Sequence, residues 1–469
     1  MTDVLLINPI DVTHLKNRLG LKVPPLNLMY LAAALEKESI NVRIIDDNMN
    51  NFGHSKIAKI ASKINPDIVG FTANTATINN ALEYIKSIKN TMPNTLTVLG
   101  GPHSTFLPKE TLQSEKGLDV VVIGEGEETI VDMAQKYEEN KKFTEIKGIA
   151  YKYDNKIKLN SPRPPISDLD ALPFPARHLL PFKDYTGSGY AGGIITSRGC
   201  IFSCNYCSSS RIMGKRFRTR SPANVADEIE ELVEKYNVDN LAFLDDIFML
   251  NKRRAFAIAN EIIRMNLDIK FVASSRANTV NKELLESLKN SGMNTLYCGI
   301  ESGSQRVLNL MGKGITLKHA EDAIKIAKDV GIDIIASFII GYPGETEDEI
   351  DQTINFSIKL DPDYSQYSIL TPFPGTPIYY ELKEQGLLDT ENWEKYNVLE
   401  SVINYEKLGL SRRLIDKKLT RSYLKFYLRP KYIIKHAYMF RVLIETLFRS
   451  YLMPKLRGNA PEGWYHSLN

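Results

Sequence analysis

The feature that most constrains the fold is an alternation of short apolar runs with longer segments of helical periodicity. In the first block, from Val4 to about Gln135, the apolar runs are "VLLIN", "VRIID", "DIVGF", "LTVLGG" and "DVVVIG". The segments between them, such as "LNLMYLAAALEKE" and "NNALEYIKSIKN", place apolar residues at helical spacing. Strand–helix alternation requires a parallel sheet covered by helices on both faces, so this block predicts a doubly wound, Rossmann-like α/β domain.

A second alternation follows a proline-rich stretch at residues 160–189. Its apolar runs are "GGIITS", "NLAFLDD", "IKFVASS", "TLYCGIES", "IDIIASFIIG" and "YSQYSIL". Six strand–helix units predict a partial (β/α)6 barrel of the TIM type, with its chemistry at the carboxyl ends of the strands. We therefore expect a first domain at residues 1–140, a linker at 141–192, the barrel at 193–400 and a helical C-terminal region at 401–469.

Three of the four cysteines of the chain fall within one short loop after the first barrel strand. Cys200, Cys204 and Cys207 are separated by three and two residues, and the remaining thiol, Cys298, lies inside a predicted strand. A structural zinc site is closed by four ligands, and the sequence offers no fourth cysteine or histidine nearby. Three thiolates suit a 4Fe-4S cluster that keeps one iron free for a substrate or cofactor. A zinc knuckle or a chance group of buried thiols is the alternative.

With Tyr206 inside it, this loop resembles the C-x3-C-x-Φ-C signature of the radical SAM enzymes, in which Φ is an aromatic residue that contacts adenine. The resemblance implies a 4Fe-4S cluster on the three cysteines and S-adenosyl-L-methionine (SAM) as cofactor. It also implies an electron donor such as ferredoxin or flavodoxin. In such enzymes the reduced cluster cleaves SAM to methionine and a 5′-deoxyadenosyl radical, which removes hydrogen from an unactivated carbon.

Further motifs follow the later barrel strands in the order typical of that superfamily. By resemblance, Asp245 and Asp246 in "LAFLDDIF" lie where the methionyl amino group binds, and Ser275 and Arg276 in "SSRANT" contact the SAM carboxylate or ribose. Glu301 in "GIESGS" lies near the ribose, and Gly341 in "SFIIGYPGETEDE" packs against adenine. Each motif also has an ordinary explanation, because acidic residues at strand ends cap helices and Gly-Pro clusters form turns.

The first block resembles the cobalamin-binding domain that precedes many radical SAM barrels, through "PPLNLMYLAAALE", "PDIVGFT", "LGGPHSTFLP" and "DVVVIGEGEET". The resemblance implies bound cobalamin, with Gly100 and Gly101 as binding residues. The D-x-H-x-x-G motif that supplies a histidine to cobalt is absent, because Asp11 and His14 in "PIDVTHLKNRLG" have the wrong spacing. Either no protein group binds below the cobalt, or the domain keeps the fold without the cofactor. His103 is a candidate to line the corrin edge, or it is a polar turn residue.

Other cofactors and partners rank lower on the sequence. A doubly wound domain also serves nucleotides and flavins, but the chain has no G-x-G-x-x-G or G-x-x-x-x-G-K-[ST] motif. The net charge of +3 does not indicate binding to nucleic acid. Methylthiotransferases that modify RNA need a second cluster with three more cysteines, which four cysteines cannot supply. A non-catalytic corrinoid sensor would have no need of the cysteine triad.

The C-terminal region bears on location and substrate. It is rich in lysine, arginine and aromatic residues, and within "AYMFRVLIETLFRSYLM" the polar residues Arg441, Glu445 and Arg449 share one helical face. Such a helix suits a membrane surface, or it packs over the open side of the barrel. The chain lacks a signal peptide core and a run of eighteen apolar residues, so we expect a cytoplasmic enzyme. A C-terminal helix on a membrane surface would place it at the inner face of the membrane.

The resemblance implies an enzyme that forms carbon–carbon bonds, by ring formation or by methylation. A hydrophobic small molecule or membrane lipid, such as an archaeal tetraether, is the expected substrate, because hopanoid methylases and tetraether ring synthases share the architecture. The alternative is a cobalamin-dependent methyltransferase or cyclase that acts on a tetrapyrrole or another small natural product, as the anaerobic Mg-protoporphyrin cyclase does.

Overall fold

The computed structural model describes residues 2–11, 23–138, 143–154, 156–186 and 191–437. Two parallel sheets organise the chain, one in each predicted domain. The strands of each sheet come from one continuous part of the chain, so each predicted alternation corresponds to one sheet.

The first domain contains a seven-stranded sheet in the order β2-β1-β3-β4-β5-β6-β7. Strands β1 to β5 are parallel, and β6 and β7 are antiparallel additions at one edge. The order reverses between β1 and β3, which creates a crevice at their carboxyl ends. The strands are β1 Asp3–Asn8, β2 Asn41–Asp46, β3 Ile68–Thr72, β4 Leu96–Gly100, β5 Val120–Val122, β6 Ile149–Tyr153 and β7 Lys156–Leu159.

Helices cover both faces of this sheet because its central strands are apolar on both sides. Leu6 packs with the helices Leu26–Lys37 and Glu127–Glu138 on one face, and Leu5 packs with the helices His54–Ile64 and Ile78–Thr91 on the other. Shorter helices complete the domain at Asp47–Asn50, Pro102–Phe106 and Pro108–Ser114. The doubly wound prediction is confirmed.

The predicted linker starts too early. Strands β6 and β7, which we placed at the beginning of the linker, form a hairpin and extend the first sheet. Asp154 in the connection has a φ of 49°, the left-handed conformation that aspartate and asparagine adopt in tight hairpin turns. The sequence "YDNK" at this point is the turn signal that we missed. Residues 160–182 are mostly irregular, with a 3-10 turn at Arg177–Leu179, and a short helix spans Lys183–Thr186.

The second domain is an open, six-stranded parallel sheet in the order β15-β14-β13-β12-β11-β8, which confirms the partial barrel. A two-stranded antiparallel ribbon, β9 with β10, follows β8. The strands are β8 Gly192–Ile194, β9 Ser197–Arg198, β10 Arg218–Thr219, β11 Asn240–Phe243, β12 Lys270–Arg276, β13 Met293–Glu301, β14 Asp333–Ile340 and β15 Tyr364–Ile369. The helices are Ser209–Ile212, Pro222–Tyr236, Lys252–Arg264, Lys282–Asn290, Gln305–Leu310, Leu317–Val330, Glu347–Leu360 and Pro377–Glu384.

Local sequence signals set the ends of the barrel helices. The helix Pro222–Tyr236 begins after Ser221, whose side chain accepts a hydrogen bond from the Asn224 amide, and ends at Asn237 in a left-handed conformation. Proline at the first position and a hydroxyl cap before it are common at helix starts.

The helices Arg412–Tyr427 and Pro430–Lys435 lie along the exposed edge of β15. The Tyr423 hydroxyl accepts from the Tyr367 amide and donates to its carbonyl, and Tyr427 does the same with Ser365. Residues four apart on the helix thus pair with residues two apart on the strand. These tyrosines occupy the hydrogen-bonding groups of an edge strand that would otherwise be open to another chain.

The described part of the C-terminal region packs against the barrel, which was the alternative to a membrane-surface helix. Tyr423, Tyr427 and Tyr432 contact the barrel, and Lys418 forms ion pairs with Glu347 and Asp351 of the barrel at 2.9 and 2.8 Å. The predicted amphipathic stretch with its polar stripe lies at residues 438–469, outside the described residues. In the part of the chain that the structure covers, no helix has the length and apolar character needed to cross a bilayer.

Candidate active site

The cysteine loop joins β9 to β10 at the carboxyl end of the barrel. Cys200 and Cys204 are buried and Cys207 is half-buried, and all three are free thiols. The Cys200 amide donates to the Gly214 carbonyl at 3.1 Å, and the Cys207 amide donates to the Cys204 carbonyl at 3.3 Å. Burial raises the pKa of the Cys200 thiol, and the neighbouring charges of Asp246, Cys207 and Cys204 raise it further. The three thiols therefore share one electrostatic environment.

The donor set of this loop is three thiols, and the residues that would hold a cluster are Cys200, Cys204 and Cys207. Among the residues that the structure describes, no three His, Cys, Asp or Glu side chains are arranged to hold one metal ion. Each thiolate of a four-iron cubane binds a different iron, so its ligands lie further apart than those of a mononuclear site. Cys298 is fully buried in β13, where burial raises the pKa of its thiol to about 12, so it is not a candidate fourth ligand.

Arg276 lies directly beside the cysteine loop. Its Nη1 is 3.4 Å from the Cys204 Sγ, its guanidinium lies 3.6 Å from the centroid of the Phe202 ring, and its Nη2 donates to the Lys313 carbonyl. The guanidinium places a buried positive charge against a sulfur atom of the cysteine loop. The predicted SAM-binding arginine thus contacts a predicted cluster ligand in this structure.

Tyr206, the aromatic residue of the signature, is linked to Glu301 at the end of β13. The Tyr206 hydroxyl donates to Glu301 Oε1 at 3.1 Å, and the Lys313 ammonium lies 2.7 Å from the same oxygen. Glu301 is buried and has a φ of 72°, a strained conformation for a residue other than glycine. Such strain is typical of functional sites, where surrounding contacts hold a side chain in one position.

Two other predicted SAM contacts are occupied by bonds within the protein. The buried Asp245 carboxylate accepts from the Thr196 amide and hydroxyl and from the Ser197 hydroxyl, so it fixes the start of the cysteine loop. Burial raises the pKa of this carboxyl group. The Ser275 hydroxyl lies 2.7 Å from that of Thr279. In this structure Asp246, rather than Asp245, is the exposed carboxylate of the pair.

Gly341 occupies a position that only glycine fits. Its φ is 77°, and a Cβ at this position would lie 2.3 Å from the Tyr405 hydroxyl oxygen. Tyr405 donates to the Gly341 carbonyl at 2.7 Å, and the Gly341 amide donates to Glu345 Oε2 at 2.6 Å. Burial raises the pKa of Glu345 to about 8, and its Oε1 has no hydrogen-bond partner among the described residues.

An apolar cavity of about 330 Å³ opens at the carboxyl ends of β1, β3, β4 and β5. Gly100 and Gly124 line it, and the nearest atom to a Cβ on Gly100 would be 3.9 Å away, so a side chain would project into the cavity. At Gly101 the φ is 113°, and a Cβ would lie 2.3 Å from the Ala73 carbonyl oxygen. Gly100 and Gly124 therefore leave this space free of side chains, and Gly101 allows close approach of the Ala73 backbone.

The barrel closes this cavity through buried ion pairs. Arg198, two residues before Cys200, lies 3.0 Å from Glu125 and 2.5 Å from Glu127 in the loop after β5. Arg218 reaches Glu125 from β10 at 3.0 Å, and all four side chains are at least nine-tenths buried. We call these four residues the interdomain clamp. It connects the cysteine loop to the wall of the apolar cavity, which Arg198 also lines.

The structure does not place His103 among the residues that line the cavities described here. The ring is buried against Trp393, with centroids 4.8 Å apart, and burial lowers the pKa of His103 to about 4. Pro102 beside it does line the apolar cavity. None of the described residues that line the apolar cavity or its polar neighbour of about 290 Å³ is a histidine, and His14 lies outside the described residues.

A third cavity, of about 760 Å³, lies between the two domains. Pro102 and Phe106 come from the first domain, Ser208 follows Cys207, and Phe373 and Pro374 follow β15. A segment that sequence reasoning missed, residues 392–400, forms the remaining wall. Val398 within it has a φ of 62°, an outlier for a β-branched residue. In the sequence, Trp393, one of only two tryptophans, was the signal that could have pointed to this segment. Lys313, the partner of Glu301, was also missed, and its signal was its position between two glycines.

Comparison with known proteins agrees with this architecture. A model of the B12 binding domain matches residues 13–134, and a model of the Radical SAM superfamily matches residues 194–357. An uncharacterized methyltransferase of Pyrococcus horikoshii is 40% identical over 454 residues, 96% of this chain and 98% of the relative. The anaerobic magnesium-protoporphyrin IX monomethyl ester cyclase of Cereibacter sphaeroides is 30% identical over 418 residues, 87% of this chain and 67% of the relative.

Among solved structures, the radical SAM methyltransferase TsrM of Kitasatospora setae, with cobalamin and a [4Fe-4S] cluster bound, shares the fold. Its TM-score is 0.71 at 21% identity, over 82% of this chain and 78% of that chain. The fold and the site therefore define a radical SAM enzyme. The chain belongs to the radical SAM enzymes that carry a B12-binding domain, a class of methyltransferases and cyclases whose cofactors are a 4Fe-4S cluster, SAM and cobalamin.

Proposed function

We propose that the protein forms a methyl–carbon bond at an unactivated carbon of a substrate held in the interdomain cavity. The observation that carries the proposal is the composition of that cavity's wall. Ser208, next to Cys207, lies on one side, and Pro102, which also lines the apolar cavity, lies on the other. A molecule in this space would contact both the cluster loop and the corrinoid-binding edge.

When bound, the cluster and SAM supply a radical that removes hydrogen from carbon, and methylcobalamin supplies the methyl group. The residues of the chain contribute position and exclusion of water. Cys200, Cys204 and Cys207 would hold the cluster, with the Arg276 cation stabilising the thiolates. Tyr206 and Glu301, fixed by Lys313, would orient SAM. Gly100 and Gly124 leave the space that the corrinoid base would fill.

The cavity wall supports an amphiphilic substrate. Polar side chains line one part of it, and Phe106, Phe373, Val398 and Leu399 line another. The polar residues are Asn74, Thr75, Ser208, Asn392, Glu394, Lys395, Asn397 and Glu400. A membrane lipid such as an archaeal tetraether, with a polar head and apolar chains, meets this description. The exposed side chains of Leu424, Leu428 and Ile434 on the C-terminal helices give a surface where such a lipid could approach.

Ring closure on a tetrapyrrole is the second candidate. The 30% identity to an enzyme named as a magnesium-protoporphyrin cyclase favours it, and a volume of about 760 Å³ suits a bulky ring system with charged substituents. The two candidates differ in product, because methylation adds a carbon and ring closure removes two hydrogens.

Product analysis with labelled SAM tests the proposal. The protein, loaded anaerobically with iron–sulfur cluster and hydroxocobalamin, is incubated with SAM carrying a trideuterated methyl group, a low-potential reductant, and either a lipid extract or a porphyrin ester. The methyl group on the reduced corrinoid then comes from the labelled SAM. Methylation predicts a lipid that gains the labelled methyl group, and ring closure predicts an unlabelled product that lacks two hydrogens. If 5′-deoxyadenosine forms and neither substrate class changes, both candidates are wrong.

A matched pair of variants connects the product to the cavity. Phe373→Trp enlarges a cavity-lining side chain, so we expect a lower kcat/KM with unchanged iron and cobalamin content. Tyr380→Trp enlarges a side chain that is 49% exposed on the next helix, and we expect no change. Equal rates for both variants would show that the substrate binds elsewhere.

A further inference from the structure

An exposed basic segment lies next to the cysteine loop. Arg211, Lys215 and Arg216 are exposed, and none of them has an ion pair with an acidic residue in the described part of the chain. The exposed carboxylate of Asp246 acts on the Cys200 thiol and bonds to Ser209, and it forms no ion pair with these three cations, so the segment keeps an excess of positive charge.

Backbone contacts hold this segment against the cluster ligands. The Arg211 guanidinium donates to the Cys207 carbonyl at 3.3 Å, and the Gly214 carbonyl accepts from the Cys200 amide at 3.1 Å. A Cβ on Gly199 would lie 2.3 Å from the Arg216 carbonyl, so Gly199 and Arg216 are packed backbone to backbone. The cations are therefore joined to the cluster loop by direct bonds, without an intervening layer of protein.

The same segment also has an apolar inner side. Ile212 and Met213 line the apolar cavity at the carboxyl edge of the first sheet. On the outside, Ile201 directly after Cys200 is 51% exposed and supplies an apolar contact among the cations. An apolar centre with a charged rim is the usual composition of a transient protein interface.

We propose that Arg211, Lys215 and Arg216, around Ile201, form the docking surface for an acidic one-electron carrier protein. One electron leaves the reduced flavin or iron–sulfur centre of the carrier and enters the cluster through the Cys200–Cys207 loop. The carrier is oxidised by one electron, and no proton or group is transferred. The inference rests on the cluster of the proposed function.

Pre-steady-state reduction of the loaded protein tests the surface. A fully reduced flavodoxin is mixed with the cluster-loaded protein, and cluster absorbance is followed at several ionic strengths. For Lys215→Glu/Arg216→Glu we expect an apparent second-order rate constant at least about tenfold lower at low salt, because complementary charge mainly sets association rates. The difference should disappear as salt screens the interaction.

The matched control is Arg413→Glu/Lys417→Glu, which makes the same change in charge at two exposed positions. These residues lie on the helix that packs against β15, at the opposite edge of the barrel sheet from β8. We expect the flavodoxin rate of this control to equal that of the unmodified protein. A second control uses reduced methyl viologen, a small cation that needs no docking surface and should reduce the Lys215→Glu/Arg216→Glu variant without loss of rate.

Each failure has a separate reading. Iron content is measured first, so a preparation without cluster contradicts the proposed function and not the docking surface. If the cluster is present and the flavodoxin rate of the Lys215→Glu/Arg216→Glu variant is unchanged, or falls equally in the Arg413→Glu/Lys417→Glu control, the docking surface is wrong. A parallel loss of the methyl viologen rate would show damage to the cluster loop and would also overturn the proposal.

Discussion

The interdomain clamp gives a quantitative prediction for cobalamin affinity. Replacing Arg198 with methionine leaves Glu127 buried without its cation, while Glu125 keeps Arg218 and the Ile166 amide. Leaving one buried charge unpaired costs about 3–5 kcal/mol. Because Arg198 and Met213 belong to the barrel and line the apolar cavity, the cost falls on the closed arrangement that holds the corrinoid. If all of it does, the Kd for cobalamin rises by about 150- to 5,000-fold.

The assay is an anaerobic titration of the protein with hydroxocobalamin, followed by absorbance. The double variant Arg198→Met/Glu127→Gln removes both charges, so we expect most of the affinity to return, because replacing both partners of a buried pair is far less costly than removing one. Lys318→Ala breaks an ion pair in which the lysine side chain is 72% exposed, and the Kd should stay within about twofold. An Arg198→Met variant with unchanged affinity, or a double variant as weak as the single one, would refute the reasoning.

Three further predictions concern the cofactor cavity, pH and the barrel edge. Gly100→Val should abolish cobalamin binding in the same titration while iron content is kept, because the side chain would enter the apolar cavity; full binding would contradict the assigned cavity. Burial raises the pKa of Glu345 from its ordinary value near 4.5 to about 8. Between these pH values the folded protein keeps a proton that the unfolded chain has lost. The free energy of unfolding therefore falls as pH rises through this range, by at most about 1.4 kcal/mol per pH unit. Glu345→Gln should flatten that slope in urea unfolding, and an unchanged slope would assign the pH dependence to other groups. Tyr423→Phe/Tyr427→Phe leaves the backbone groups of Ser365 and Tyr367 without partners, so the unfolding free energy should fall by about 1–3 kcal/mol for each tyrosine. Dimers or aggregates should also appear in light scattering, because the strand edge is open. Undiminished stability would show that the hydroxyls are not needed.

The sheets were predictable because the hydrophobic runs are short, apolar and separated by clear helical segments. All six barrel strands and the five parallel strands of the first domain fall where the sequence places them. The hairpin of β6 and β7 was not predicted, since its second strand, Lys156–Leu159, is mostly exposed and has only a weak apolar pattern. The turn at Asp154 was the better signal there.

The site was predictable at the level of its loops and less so for single side chains. The cysteine triad and Tyr206 come together on one loop, as their spacing indicates. Lys313 and the clamp could not be found from spacing, because their partners lie far away in the chain; Lys313 meets Glu301 only after β13 ends in a strained turn. Arg276, assigned to SAM by resemblance, also contacts Cys204, and this contact between a barrel strand and the cysteine loop is not visible in the sequence.

The most direct test of the account is electron paramagnetic resonance of the anaerobically loaded and reduced protein, recorded with and without SAM. A cluster held by Cys200, Cys204 and Cys207 predicts about four irons per chain and a signal that changes when SAM binds the open iron. The triple alanine variant should retain no iron, whereas Cys298→Ala should behave as the unmodified protein. A signal that ignores SAM, or iron retained without the three cysteines, would contradict the central claim.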